Sequence, residues 1–200
     1  MQRGELRYRL RCIDKLDYEF RGTESLLDVG CGNGGVAALL RERVHEVVAV
    51  DVESSPAWRD GTGLTFQVAD AERLPFEAGS FDVVHSKDSL HHMASPERAM
   101  AEYRRVLRPG GTVLIVEGNR YNPFFYLHMT LALGHEHFTR DRLRRLIRAE
   151  FPNARFGAFE AHYVPGFDRL ARLQNAVEEG LERLPPFDPL LSYNFAVATS

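Results

Sequence analysis

Residues 26–35 read Leu26-Leu27-Asp28-Val29-Gly30-Cys31-Gly32-Asn33-Gly34-Gly35, an apolar strand running directly into four glycines. Glycine permits the tight turn and lets a ligand approach the backbone, and a helix opening behind the turn offers free N–H groups. Gly30, Gly32 and Gly35 also satisfy the dinucleotide spacing G-x-G-x-x-G. The glycines alone therefore leave a nicotinamide enzyme and other nucleotide binders equally open. Asp51 closes the next apolar run 21 residues after Gly30, where a carboxylate can accept both ribose hydroxyls of an adenosine.

The rest of the chain continues this alternation. Ser25–Val29, Glu46–Asp51, Leu64–Val68, Phe81–His85 and Thr112–Glu117 read as strands, with helix-like segments at Val36–Arg43 and Pro96–Leu107. Strand alternating with helix predicts a parallel sheet covered on both faces. Thr139 caps a helix over Arg140–Glu150, and late strands are expected at Arg155–Tyr163 and Ser192–Thr199. With 200 residues, 44% hydrophobic and 26% charged, the chain suits one globular domain. A net charge of −3 supplies no field to recruit a polyanion, so nucleic acid is not an expected partner. Cys12 and Cys31 are too few for a disulfide framework, and the N-terminus lacks the apolar core of a signal peptide, so a cytoplasmic location is expected. Phe124–Leu133 is about half the length of a bilayer span, and no stable membrane insertion is expected.

Further motifs follow in order: Asp28 before the first glycine, Val68-Ala69-Asp70-Ala71 with Leu74-Pro75-Phe76, then Phe81-Asp82-Val83-Val84, then Leu107-Arg108-Pro109-Gly110-Gly111. Over about residues 23–118 this series resembles the class I S-adenosylmethionine-dependent methyltransferases, most closely the small-molecule group of the ubiquinone and menaquinone biosynthesis methyltransferases. The resemblance implies a Rossmann-like α/β fold with a seven-stranded, mostly parallel sheet, helices on both faces and an antiparallel last strand. It implies S-adenosyl-L-methionine as cofactor and methyl transfer to a small-molecule or lipid-like acceptor. The alternatives are a non-catalytic S-adenosylmethionine-binding regulatory or partner protein and a nicotinamide oxidoreductase, the latter disfavoured by Asp28, Asp70-Ala71 and Arg108-Pro109-Gly110-Gly111. By the same resemblance, Asp28, Gly30, Cys31, Gly32 and Gly34 surround the methionine part of the cofactor, together with His85. Asp51 holds the ribose, Asp70 and Ala71 meet the adenine, and Val52 and Leu90 are candidates to sandwich the adenine or the thioether arm.

After the fourth strand comes His85-Ser86-Lys87-Asp88-Ser89-Leu90-His91-His92-Met93, at the sheet edge where open α/β folds bind ligands. Asp88 and His91 are the candidate catalytic residues, either able to orient or deprotonate an acceptor. His92 is read as structural, and Lys87 as a partner for an acidic substrate group or for Asp88. Tyr8, Arg9 and Arg11 fall on an expected N-terminal helix, where an Arg can meet the cofactor carboxylate or solvent.

Residues 119–138 are expected to insert as a lid, since Tyr121, Phe124, Phe125, Tyr126, Leu127, Met129 and Leu131 are too many apolar side chains for a solvated loop. A lid of this composition would select an apolar or aromatic acceptor. A subunit contact is the alternative, leaving monomer or homodimer open. Residues 1–200 are expected to form one domain, with 139–200 supplying the C-terminal helices and strand pair. His135-Glu136-His137, with His128 nearby, lacks the spacing and further ligands of a metal site, and no metal is expected.

Overall fold

The computed structural model describes residues 3–123, 126, 134, 137–162 and 171–200. In chain order the elements are α1 (Arg3–Asp14), β1 (Ser25–Val29), α2 (Gly35–Arg41), β2 (Glu46–Asp51), β3 (Leu64–Val68), β4 (Phe81–Lys87), α3 (Pro96–Val106), β5 (Leu107–Gly118), α4 (Arg140–Glu150), β6 (Arg155–Phe159), α5 (Ala171–Glu182) and β7 (Tyr193–Thr199). Short 3₁₀ turns occupy Leu90–His92 and Pro185–Leu190.

All seven strands join one sheet in the order β3-β2-β1-β4-β5-β7-β6. Strands β1 to β5 pair in parallel, and β7 runs antiparallel to both β5 and β6, as the resemblance implied. Both faces of the central strands are apolar, because neighbouring side chains point to opposite sides. Leu26, Val83 and Leu114 pack with Cys12, Ile13, Leu16 and Leu40 of the α1 and α2 layer. Leu27, Val84 and Val113 pack instead with Met100, Tyr103 and Ile147 of the α3 and α4 layer. This double burial explains why the strands read as continuous apolar runs. Helix α3 starts where Ser95 Oγ accepts the Arg98 N–H at 3.4 Å and Pro96 supplies the first turn.

The order of strands reverses direction beside β1: β2 and β3 lie to one side, β4 and β5 to the other. A crevice opens at the carboxyl end of such a switch point, and the Gly30 loop sits in it.

Some boundaries differ from the sequence reading. β4 continues two residues past His85, because His85 and Ser86 are buried polar residues that complete the strand. β5 begins at Leu107, and its pairing with β4 shifts register between Phe81 and Val83 to absorb Arg108-Pro109-Gly110-Gly111. β6 stops at Phe159, four residues short of the expected end. The expected helix within 124–133, and most of the expected lid, lie outside the described residues. The described ends of that segment are anchored: Asn119 Nδ2 donates to the Pro189 and Leu191 carbonyls at 2.9 and 2.8 Å, and Phe138 is buried in the core. No helix of the described residues is long and apolar enough to cross a membrane.

Candidate functional site

The loop after β1 is held by backbone chemistry. Gly30 N and Cys31 N both donate to the Val50 carbonyl, at 2.9 and 3.0 Å, and Gly32 N donates to Asp51 Oδ2 at 2.8 Å. Gly30 has φ +73°, and a Cβ there would stand 2.3 Å from Ser89 Cβ. Only glycine lets β1 pass this close to the chain leaving β4. Trp58, stacked on Phe66, closes the outer side by donating Nε1–H to the Gly32 carbonyl at 2.8 Å.

Two clefts meet at this loop. The first, of about 360 Å³, is lined by Asp28, Cys31, His85 and Lys87, with Tyr8 and Arg9 of α1 as its roof. The second, of about 430 Å³, is lined by Asp51, Val52, Asp70 and Ala71, with Ser89 and His92 opposite. Gly30, Gly32 and Asp88 belong to both.

In the first cleft, His85 Nδ1 lies 2.7 Å from Asp28 Oδ1, both side chains being buried. Asp28 Oδ2 is also buried, with no hydrogen-bond partner among the described residues. A carboxylate oxygen in that position can accept a donor from a ligand. Arg9 crosses the glycine loop, with Nη2 2.6 Å from Glu5 Oε1 and 3.2 Å from Asn33 Oδ1. In the second cleft, Asp51 sits at the end of β2 with one oxygen on Gly32 N. Asp70 is exposed and accepts the Glu72 N–H at 2.9 Å.

Between the clefts, Lys87 pairs with Asp88 and donates to Tyr8 Oη at 3.0 Å. Its ammonium also lies 4.8 Å from the centroid of the Tyr193 ring. Burial acts to lower the Lys87 pKa, but the Asp88 carboxylate outweighs it and holds it well above its ordinary value. Burial pushes the Tyr8 phenol up to about 12, against the Lys87 charge. Lys87 therefore stays charged and Tyr8 neutral near pH 7. Burial, with Asp28 and Asp51 nearby, likewise raises the Cys31 thiol and keeps it protonated.

The family described as "Methyltransferase domain" matches residues 27–115. The demethylmenaquinone methyltransferase of Thermus thermophilus is 34% identical over 123 residues, covering 57% of this chain and 55% of that protein. A ubiquinone/menaquinone biosynthesis C-methyltransferase of Bordetella avium is 32% identical over 176 residues, covering 82% of this chain and 66% of that protein. Residues 27–115 thus match a methyltransferase domain, and the chain is similar to the class I S-adenosylmethionine-dependent methyltransferases. The chain spans less than two thirds of either relative's length. Among solved folds, an S-adenosylmethionine-dependent methyltransferase from Mesorhizobium loti superposes with a TM-score of 0.68 at 19% identity, covering 96% of this chain and 98% of that one. A phosphoethanolamine N-methyltransferase of Haemonchus contortus, complexed with S-adenosyl-L-methionine, gives 0.66 at 19% identity, covering 97% of this chain and 52% of that one.

The cofactor of this methyltransferase family suits the residues present. Asp28 Oδ2 can accept from an ammonium, the Asp51 carboxylate from ribose hydroxyls, and Asp70 with the Ala71 N–H can serve the adenine edge. Val52 is 70% exposed beside Asp51 and so is available to cover a flat ring. Three sequence expectations meet a different placement. Leu90 is fully buried in the core beneath α3 and lines neither cleft, because the turn after Ser89 rotates it inward. Gly34 packs behind the loop, where an added Cβ would strike the Phe66 ring at 2.5 Å. His91 also lines neither cleft: its Nδ1 lies 2.6 Å from Glu117 Oε2, with only 3% of its side chain exposed. Burial acts to lower the His91 pKa but the Glu117 hydrogen bond raises it overall, so this imidazole is a poor base at neutral pH. Asp88 does stand between the two clefts. Tyr8 was expected on the N-terminal helix without a role of its own, and Tyr193 and Ser89 were not singled out, since nothing in their local sequence marks them.

Proposed function

We propose that the protein transfers the methyl group of S-adenosylmethionine to a small-molecule or lipid-like acceptor. The observation that carries this reading is the junction of the two clefts at Gly30, Gly32 and Asp88, each cleft ending in carboxylates suited to one half of the cofactor. When bound, the cofactor supplies an electrophilic methyl on a sulfonium, so the chain needs no strong nucleophile of its own. Asp28 holds the amino group, Asp51 the ribose, and Asp70 with Ala71 the adenine. Arg9 is placed on the glycine loop to meet the carboxylate.

What the protein adds is alignment and exclusion of water, which can supply about 7–11 kcal/mol of rate enhancement. Asp88 orients the acceptor and, among the described residues, is the one side-chain proton acceptor that lines both clefts. A small-molecule or lipid-like acceptor is supported by relatives named for phthiotriol dimycocerosates and demethylrifamycin. The buried free thiols of Cys12 and Cys31 suit a cytoplasmic setting. Incubation with methyl-labelled S-adenosylmethionine and a panel of quinols, phenols and hydroxylated lipids tests the proposal. Label should pass to at least one acceptor in a cofactor-dependent way; binding of cofactor with no transfer to any of them would favour a regulatory role.

A further inference from the structure

We propose that His91, Glu117 and His137 form a binding site for a divalent first-row transition ion of the zinc class, next to the cofactor clefts but outside them. The three residues come from three separate places: the turn Leu90–His92, the end of β5, and the chain just ahead of the Thr139 cap. Their potential ligand atoms all lie within 4.8 Å of one another. His91 and Glu117 side chains are 3% and 0% exposed and His137 is 5% exposed, so an ion held there would be shielded from bulk water.

The carboxylate is already oriented by its surroundings. Glu117 Oε1 accepts the Ser89 and Leu90 N–H groups at 3.1 and 2.8 Å, which leaves Oε2 directed at the His91 ring. Outer hydrogen bonds of this kind fix a ligand before the metal arrives. The His137 ring is placed by a second specific feature. A Cβ on Gly118 would meet its Cε1 and Nδ1 at 2.9 Å, so the imidazole lies against the strand end only because residue 118 has no side chain. The centroids of the His91 and His137 rings are then 4.5 Å apart.

Two imidazoles and one carboxylate make a donor set that zinc uses with a fourth position open, and that iron(II) also accepts. Magnesium and calcium prefer oxygen ligands and are poorly served here. Ligand bonds of about 2.0–2.2 Å put tetrahedral ligand atoms roughly 3.3 Å apart. The 2.6 Å contact between His91 and Glu117 therefore opens slightly and His137 closes in, both within reach of side-chain rotation. The sequence reading missed the set because His91 and Glu117 stand 26 positions apart and His137 another 20 beyond.

A bound ion would tie the Leu90–His92 turn to β5 and to the chain that returns after residues 119–136. Ser89, whose N–H donates to Glu117, and His92, next to His91, line the second cleft, so occupancy is expected to couple to events there. The site is defined by its own residues and does not depend on which cofactor the clefts hold.

The test uses the full chain, stripped with chelator and dialysed, then titrated with Zn²⁺ by calorimetry and with Co²⁺ by visible absorption. One equivalent should bind with micromolar or tighter affinity, cobalt should show the bands of a low-coordinate site, and excess Mg²⁺ should not displace the ion. His137→Ala and His91→Ala should each weaken binding at least tenfold while circular dichroism stays native. Should either variant fail to fold, the wild-type stoichiometry, cobalt spectrum and Mg²⁺ competition still decide. No stoichiometric uptake by folded protein, an octahedral cobalt spectrum, displacement by Mg²⁺, or unchanged affinity in folded variants would overturn the proposal.

Discussion

Asp28 and His85 are register partners on adjacent parallel strands, and the histidine Nδ1 lies 2.7 Å from one carboxylate oxygen while the other has no partner among the described residues. The histidine fixes the carboxylate in one rotamer inside a buried strand pair, so the second oxygen is presented without loss of side-chain freedom on binding. Removing it should therefore cost cofactor affinity more than fold. Asp28→Asn is expected to weaken S-adenosylhomocysteine binding by about 1.5–3 kcal/mol, the range for a hydrogen bond to a charged group. Calorimetry on the folded variant checks this, and an affinity within twofold of wild type would remove Asp28 from the amino-group site.

Asp88 has φ +51°, a left-handed conformation that a non-glycine residue holds at a cost of order 1–3 kcal/mol. Its carboxylate neutralises Lys87, whose side chain is only 12% exposed. Asp88→Asn should lower turnover while leaving S-adenosylhomocysteine affinity within a few-fold, the signature of a contact made mainly in the transition state. It should also destabilise the protein, and Lys87→Met in the same background should restore part of that loss, because the stranded charge is gone. Denaturant unfolding and steady-state kinetics on the two variants separate these effects. Full turnover in Asp88→Asn would reduce Asp88 to a structural counter-ion.

Strands β1, β2 and β3 were legible residue for residue, because each is an apolar run bounded by turn-forming residues. The positions of Asp28, Asp51 and Asp70 beside the clefts were legible because each lies at or near the carboxyl end of a parallel strand, where open α/β sheets form their crevice. Leu90 and His91 were misplaced because position after β4 says nothing about which way a tight turn rotates its side chains. Helices were expected in 139–200, but the bounds of α5 were not legible, for a different reason. Its Leu173 and Val177 are 62% and 54% exposed while Glu178 is 3% exposed, so its inward face is charged and the usual apolar periodicity is inverted. That inward face meets α1, where Arg11 Nε is 3.3 Å from Glu178 Oε2.

The same interface carries a pH response. His162 Nδ1 lies 2.9 Å from Glu160 and 3.8 Å from Glu178, with Ser192 Oγ 3.1 Å from its Nε2 and Arg11 on the far side of Glu178. Burial acts to lower its pKa, but the hydrogen bond to Glu160 and the negative charges of Glu160 and Glu178 outweigh it and raise it from 6.5 to about 9. A folded-state pKa above the unfolded value gives stability that is fully present below the unfolded value and is lost as pH rises through the folded one. Unfolding free energy should therefore fall between pH 6.5 and about 9, and His162→Asn should flatten that fall. Urea titrations across this window check it, and an identical slope in the variant would assign the effect elsewhere.

The claim that the paired clefts form an S-adenosylmethionine site is tested most directly by calorimetric titration of the wild-type chain with S-adenosylhomocysteine, with NAD as comparison and Asp51→Ala as control. One site with a micromolar dissociation constant, about −8 kcal/mol, is expected. Asp51→Ala should lose about 2 kcal/mol, because the ribose acceptor and the hydrogen bond to Gly32 N disappear together. NAD should bind far more weakly. Tighter binding of NAD than of S-adenosylhomocysteine, or the same S-adenosylhomocysteine affinity in Asp51→Ala, would contradict it.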